Sequence, residues 1–221
     1  MNHYGLKIDE FLQTEIEDYL DGKIKIPYRV EDGIGKLQHR TDLIEAYKNY
    51  LKQSFPADFS NVKIAVDAAF GSTSELAHMF KDLNMTVDVI NDQPDGLNIN
   101  EKCGSTHPKH LQDFMKDKDY DLGVAYDGDG DRLIFIDEKN NIVDGDGIMY
   151  MLANHYKKHG SLNDDTIVVT VMSNLGLLKA LQRDGIQLHL GCRIKDAKKQ
   201  GQGWTLQLEG ATGAKNLQAD V

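Results

Sequence analysis

Apolar positions along this chain repeat with two alternating periods. In DEFLQTEIEDYL (residues 9–20), Phe11, Leu12, Ile16, Tyr19 and Leu20 fall at roughly helical spacing. TDLIEAYKNYLKQSF (41–55) does the same with Leu43, Ile44, Tyr47 and Leu51 behind Thr41 as a cap. Both stretches are expected to be amphipathic helices. From residue 62 the pattern turns to short apolar runs separated by helical stretches. VKIAVDAAFGSTSELAHMFKDLN (62–84) predicts a strand, a turn with Gly71 and a helix capped by Ser72 or Ser74. MTVDVIND (85–92) predicts the strand that completes a βαβ unit. There follow a helix over 108–118, strands over 120–126 and 133–137, a polar turn at 138–141, a helix over 147–160, a strand over 166–172 and a helix over 176–185. Alternation of this kind gives an α/β fold with mixed, mainly parallel sheets flanked by helices. After about residue 184, IQLHLGC, GWTLQLEG and NLQADV read as three strands joined by polar and glycine turns, a β-rich meander.

Composition adds limits. With 40% hydrophobic and 27% charged residues in 221, the chain is an ordinary globular one, large enough for one domain or two small ones. Thirty-five acidic against 25 basic residues give a formal charge of −10. That charge disfavours unspecific binding to nucleic acid or to an anionic membrane, so an anionic substrate has to be met by local cations. The amino terminus lacks a basic segment followed by an apolar one, and no apolar run is long enough to span a bilayer. A cytoplasmic location is expected. Cys103 and Cys192 are too few and too far apart for a disulfide framework or a zinc site, and read as reduced thiols.

Candidate chemistry concentrates in YDGDGDRLIF (126–135), where Asp127, Asp129 and Asp131 alternate with glycine and Arg132 follows. In an extended strand these side chains would stand roughly 6.5 to 7 Å apart, too far to grip one small ion. Gly128 and Gly130 let the segment curl. Carboxylates brought to about 5 Å repel by roughly 3 kcal/mol per pair at an effective dielectric of 20. A divalent cation turns that repulsion into attraction, and an all-carboxylate set suits a hard ion such as Mg²⁺. Other readings are a plain polar turn, an EF-hand loop and a magnesium phosphatase loop. Counting Asp127 as the first EF-hand position puts Glu138 at the twelfth, but the sixth, which needs glycine, is Arg132, and the flanks are strand-like where an EF-hand needs helices. The phosphatase reading lacks its nucleophilic aspartate with a supporting lysine and hydroxyl.

DGDGDRLIFIDEKNNIVDGDGIMYMLA (127–153) resembles the metal loop and following helix of the α-D-phosphohexomutases, which move a phosphate between C1 and C6 of a hexose. PDGLNINEKCGSTHPKHLQ (94–112) and TIVVTVMSNLGLLKAL (166–181) resemble the branch of that family that interconverts glucosamine 6-phosphate and glucosamine 1-phosphate on the way to UDP-N-acetylglucosamine. The likeness covers about residues 1–184. It implies that Asp127, Asp129 and Asp131 are Mg²⁺ ligands and that Arg132 helps position a phosphorylated serine. It also implies a phosphosugar substrate, with no nucleic-acid or membrane partner. The family's reaction passes through a phosphoserine and a sugar bisphosphate.

The same resemblance divides the chain. Residues 1–40 correspond to the remnant of a first domain, 41–142 to a second α/β domain carrying the metal loop, and 143–184 to the opening of a third; 185–221 is a divergent β-rich tail. The family's Thr/Ala-Ser-His-Asn-Pro type serine loop does not occur in these residues, nor do its Gly-Glu-Gln-Ser-Gly-His and Arg-Pro-Ser-Gly-Thr type loops. The expectation is a chain that is inactive alone; the alternative is a non-catalytic truncated or fused product with a residual Mg²⁺ loop. Phe70 stands where the family commonly has a polar residue. The tail resembles the strand-rich end of the NAD-binding domain of flavoprotein disulfide reductases, without the G-x-G-x-x-G that would imply a nucleotide site. His107 reads as a structural loop residue, Ser105 and Thr106 as phosphate contacts or a helix cap, Cys103 as an unreactive thiol, Ser173 and Asn174 as ligand contacts or a cap, and Asp144 and Asp146 as caps of the helix at 147.

Overall fold

The structure, a computed structural model, describes residues 4–54, 58–188, 191–200, 203–210 and 213–220. Residues 55, 189, 190 and 221, which belong to the expected helix and strands, lie outside them. The chain forms two units, Met1–Tyr47 and Lys48–Val221. In the first, helix α1 (Glu10–Leu20) starts at Asp9, whose carboxylate accepts from the Leu12 N–H at 2.8 Å, the usual N-cap bond. No residue of α1 is buried. Helix α2 (Thr41–Gln53) begins one residue earlier than expected: Thr41 is its first helical residue, and Asp42 in its first turn is held by Arg40.

The second unit is built on strands β1 (Lys63–Asp67), β2 (Thr86–Ile90), β3 (Leu122–Tyr126), β4 (Leu133–Ile136) and β5 (Ile142–Val143), in the order β2-β1-β3-β4-β5. The first three are parallel, with Val66 opposite both Val89 and Val124; β4 and β5 add antiparallel. β1 is flanked by β2 and β3 and its side chains serve both faces, as its unbroken apolar run requires. Ile64 and Val66 pack with Ala77, Val87 and Val124 on one side, and Ala65 with Leu111, Met115, Ala125 and Ile136 on the other. Helix α3 (Lys109–Met115) supplies Leu111 and Met115. The segment expected to be a helix after Gly71 is instead a 3-10 run, Leu76–Leu83, ending on left-handed Asn84. Neither serine caps it: the Ser74 hydroxyl donates back to the Gly71 carbonyl at 2.8 Å and so is turned away from the helix.

Helices α4 (Gly145–Lys158) and α5 (Leu175–Arg183) share a core of Ala153, Leu177, Leu181 and Ile186. The strand expected over 166–172 is a correction: among the described residues it makes one parallel bridge, Thr166 to Gln187, and no ladder. Its apolar pattern comes instead from Ile167 and Val169 packing against the helix pair. The tail is an antiparallel meander of β6 (Cys192–Gln200), β7 (Gly203–Gly210) and β8 (Gly213–Asp220). Its first strand lies further along than 186–192, since the polar run RIKDAKKQ pairs with β7. Exposed along its whole length, β6 carries no period-2 apolar signal to read. No helix among the described residues is long and apolar enough to cross a membrane.

Candidate metal centre

Asp127 to Arg132 turn the chain from β3 into antiparallel β4. Asp127 N–H donates to the Arg132 carbonyl at 3.2 Å, and Gly130 N–H to the Asp127 carbonyl at 3.1 Å. Gly130 sits at φ +74°, which favours glycine. The turn lifts the segment out of the extended form in which its acids would diverge. One carboxylate oxygen from each of Asp127, Asp129 and Asp131 lies within 4.8 Å of the others. Asp127 is buried; Asp129 and Asp131 are exposed.

Arg132 closes the loop from below. Its backbone N–H donates to one oxygen of Asp127 at 3.0 Å, and its Nε to the other at 3.1 Å, with Asp131 3.4 Å away. Burial works against ionising Asp127, but these donors and the positive charge outweigh it and hold its carboxyl below the ordinary range. The guanidinium is held further in its charged form, chiefly by the bond to Asp127. Oxygens around an octahedral Mg²⁺ at about 2.1 Å stand roughly 3 to 4.2 Å apart. The set, spread over at most 4.8 Å, is close to that size, and its all-carboxylate donors are of the type a hard divalent ion takes.

Two neighbouring loops clasp this turn. Ser72 N–H donates to the Gly128 carbonyl, and Ser105 N–H to the Tyr126 carbonyl, each at 2.8 Å. Packing leaves no room for side chains there: a Cβ on Gly71 would stand 2.2 Å from the Gly128 oxygen, and one on Gly104 2.4 Å from the Tyr126 oxygen. The site thus lies beyond the carboxyl ends of the parallel strands, where open α/β sheets bind ligands.

The other residues singled out have local roles. Neither Ser105 nor Thr106 caps α3; Thr106 is 3.2 Å from the ring of His107, which is exposed. Asp144 caps α4 through Gly147 N–H, whereas Asp146 accepts from Asn174 N–H at 2.8 Å. Asn174 caps α5 through Leu177 N–H, and the Ser173 hydroxyl is buried with no partner among the described residues. Burial first, then nearby Asp67 and Glu101, push the Cys103 thiol up to about 11, where it is unreactive. Phe70 follows Ala69 in the left-handed region, and its N–H donates to the Asn91 carbonyl. Gly71, Gly104 and Ser105 matter through their backbones, a role that a list of chemically active side chains does not reveal.

Residues 43–141 match the family described as phosphoglucomutase/phosphomannomutase, alpha/beta/alpha domain II, and residues 144–191 match its domain III. The chain belongs to the phosphohexomutase family. A phosphoglucosamine mutase of Bacillus subtilis is 48% identical over 185 residues, covering 83% of this phosphohexomutase chain and 41% of the relative. One from Bacillus licheniformis is 46% identical over 208 residues, covering 91% and 46%. The phosphohexomutase chain therefore spans less than half the length of these relatives. Among solved structures, a phosphoglucomutase/phosphomannomutase family protein from Burkholderia thailandensis superposes with a TM-score of 0.58 at 22% identity, over 81% of this chain and 38% of that one. At that identity it supports the α/β fold alone.

Proposed function

We propose that this chain provides the metal-holding domain of an enzyme that interconverts glucosamine 6-phosphate and glucosamine 1-phosphate, as a step towards UDP-N-acetylglucosamine. The observation that carries this is the meeting of Asp127, Asp129 and Asp131 within 4.8 Å in a turn braced by Arg132. The names of the most similar relatives supply the substrate class. In this reading the three aspartates hold Mg²⁺, which when bound offsets negative charge on a transferring phosphoryl group. Arg132 keeps Asp127 ionised and turned towards the ion, and its exposed guanidinium faces solvent where a phosphoserine would be positioned. The buried thiol of Cys103 fits a reducing, cytoplasmic setting.

Ligand binding to the folded state raises its stability in proportion to the logarithm of ligand concentration, by about 2.7 kcal/mol at a hundred times Kd. Millimolar Mg²⁺ is therefore expected to raise the Tm of the wild-type chain by a few degrees and leave an Asp129→Asn variant unmoved. Equal responses, or none from the wild type, would count against the reading. The family reaction needs a phosphoserine, and no serine loop of the family's type occurs in residues 1–221. These residues alone are expected to give no turnover in a coupled assay for glucosamine 1-phosphate; turnover would show that the serine is dispensable.

A further inference from the structure

The Asp67 carboxylate at the end of β1 is fully buried and is no part of the aspartate cluster. Burying an ionisable acid is expensive unless donors satisfy it. Among the described residues three N–H groups and no cation do so. One oxygen accepts from the Ala69 N–H at 3.0 Å and the Asn91 side-chain amide at 2.9 Å, and the other accepts from the Gly104 N–H at 2.8 Å.

One oxygen is thus shared by Ala69 of the loop after β1 and Asn91 at the start of the loop after β2, the other is held by Gly104 further along that second loop, and each loop holds one end of Asp127. The loop opened by Ala69 reaches the Gly128 carbonyl through Ser72, and the loop containing Gly104 reaches the Tyr126 carbonyl through Ser105, both at 2.8 Å. Those carbonyls belong to the residues immediately before and after Asp127. Two more backbone bonds join the loops: Asn100 N–H to the Ala69 carbonyl at 2.9 Å, and Phe70 N–H to the Asn91 carbonyl at 2.6 Å. With Gly71 and Gly104 pressed against the same two carbonyls, a shift in either loop is passed to the turn instead of being absorbed by slack.

We infer that Asp67 is a positioning residue for the cation site, setting the Asp127 carboxylate through these two loops; the inference rests on the reading that Asp127, Asp129 and Asp131 hold a divalent ion. An acceptor-only group is needed. Asparagine has the same shape, but its NH₂ would face either the Gly104 N–H or the Ala69 and Asn91 donors, so either the Gly104 bond or the pair from Ala69 and Asn91 is lost.

The test is Mn²⁺ binding by the whole 221-residue chain, followed by electron paramagnetic resonance of the free ion, with Tm measured in parallel. Mn²⁺ shares the oxygen preference of Mg²⁺. Asp67→Asn is expected to weaken Mn²⁺ binding about tenfold or more, as loss of an outer-shell partner typically does. Asn91→Ala, which removes one donor and keeps the carboxylate, should weaken it less, in the same direction. Tyr120→Phe loses the 2.6 Å bond to Asp88 at the opposite end of β3. It should lower Tm and keep wild-type affinity. If Asp67→Asn does not fold, Asn91→Ala decides. Wild-type affinity in both variants, while Asp129→Asn loses binding, would overturn the role of Asp67 and leave the metal reading intact. Equal weakening by Tyr120→Phe would also overturn it, as general destabilisation. No Mn²⁺ binding by the wild type would instead overturn the metal reading and the inference with it.

Discussion

Asp184 and Asp127 are both carboxylates bound by a nearby arginine, but they do different work. Asp184 joins α5 to α4: Arg183 Nε donates to it at 2.8 Å and the Tyr150 hydroxyl at 2.5 Å. The Arg183 bond first, then that of Tyr150, lower its carboxyl from 3.8 to about 2. A group whose folded pKa is depressed stabilises the fold above its unfolded value, and that stabilisation is lost as pH falls towards the folded one. Asp184→Asn is therefore expected to lower Tm near neutral pH, with the gap to wild type closing between about pH 4 and about pH 2. Thermal unfolding at a series of pH values checks this; a gap that stays constant in acid would contradict it. Asp127 faces like charges on Asp129 and Asp131, so in the proposed reading its partner Arg132 serves a cation site as well as the fold. The crowding of the three acids was legible in the sequence, because Gly128 and Gly130 between them let the segment curl. Asp67 was not: its donor Gly104 lies 37 residues away, and the residue reads as the plain end of a strand.

At the scale of elements, long periodic segments were the easiest to read. α1, α4 and α5 form where the apolar spacing puts them, each with an Asp or Asn side chain on its first free N–H groups. The parallel strands β1 and β3 follow from their largely apolar runs, and the edge strand β2 from the alternation in Thr86–Ile90. Tertiary contacts decided the rest. Thr166 to Val171 is apolar and β-branched, yet a strand needs a neighbour, and its pairing ends after one bridge to Gln187. In β6 the reverse holds: a lysine-rich stretch becomes a strand because Lys199 and Arg193 sit opposite Trp204 and Glu209 of β7. The 3-10 run at Leu76–Leu83 keeps Ala77 and Met79 buried without a side-chain cap, a choice that local spacing does not show.

Across the whole molecule, the parallel order β2-β1-β3 gathers the loops after β1, β2 and β3 at one edge of the sheet. Each loop then contributes something different: the turn after β3 the acids, the turn after β1 a hold on Gly128, and the loop after β2 a hold on Tyr126. The match to domains II and III of the family covers β1 to β4 of this sheet and the helix pair that follows. Cation binding by the aspartate turn is the claim on which the proposed chemistry depends. Crystals of the chain grown with Mn²⁺ and measured for anomalous scattering test it most directly. The account predicts one anomalous peak within bonding distance of Asp127, Asp129 and Asp131, at about 2.1 to 2.2 Å from their oxygens. A map with no peak there, and the three carboxylates turned apart into solvent, would contradict it.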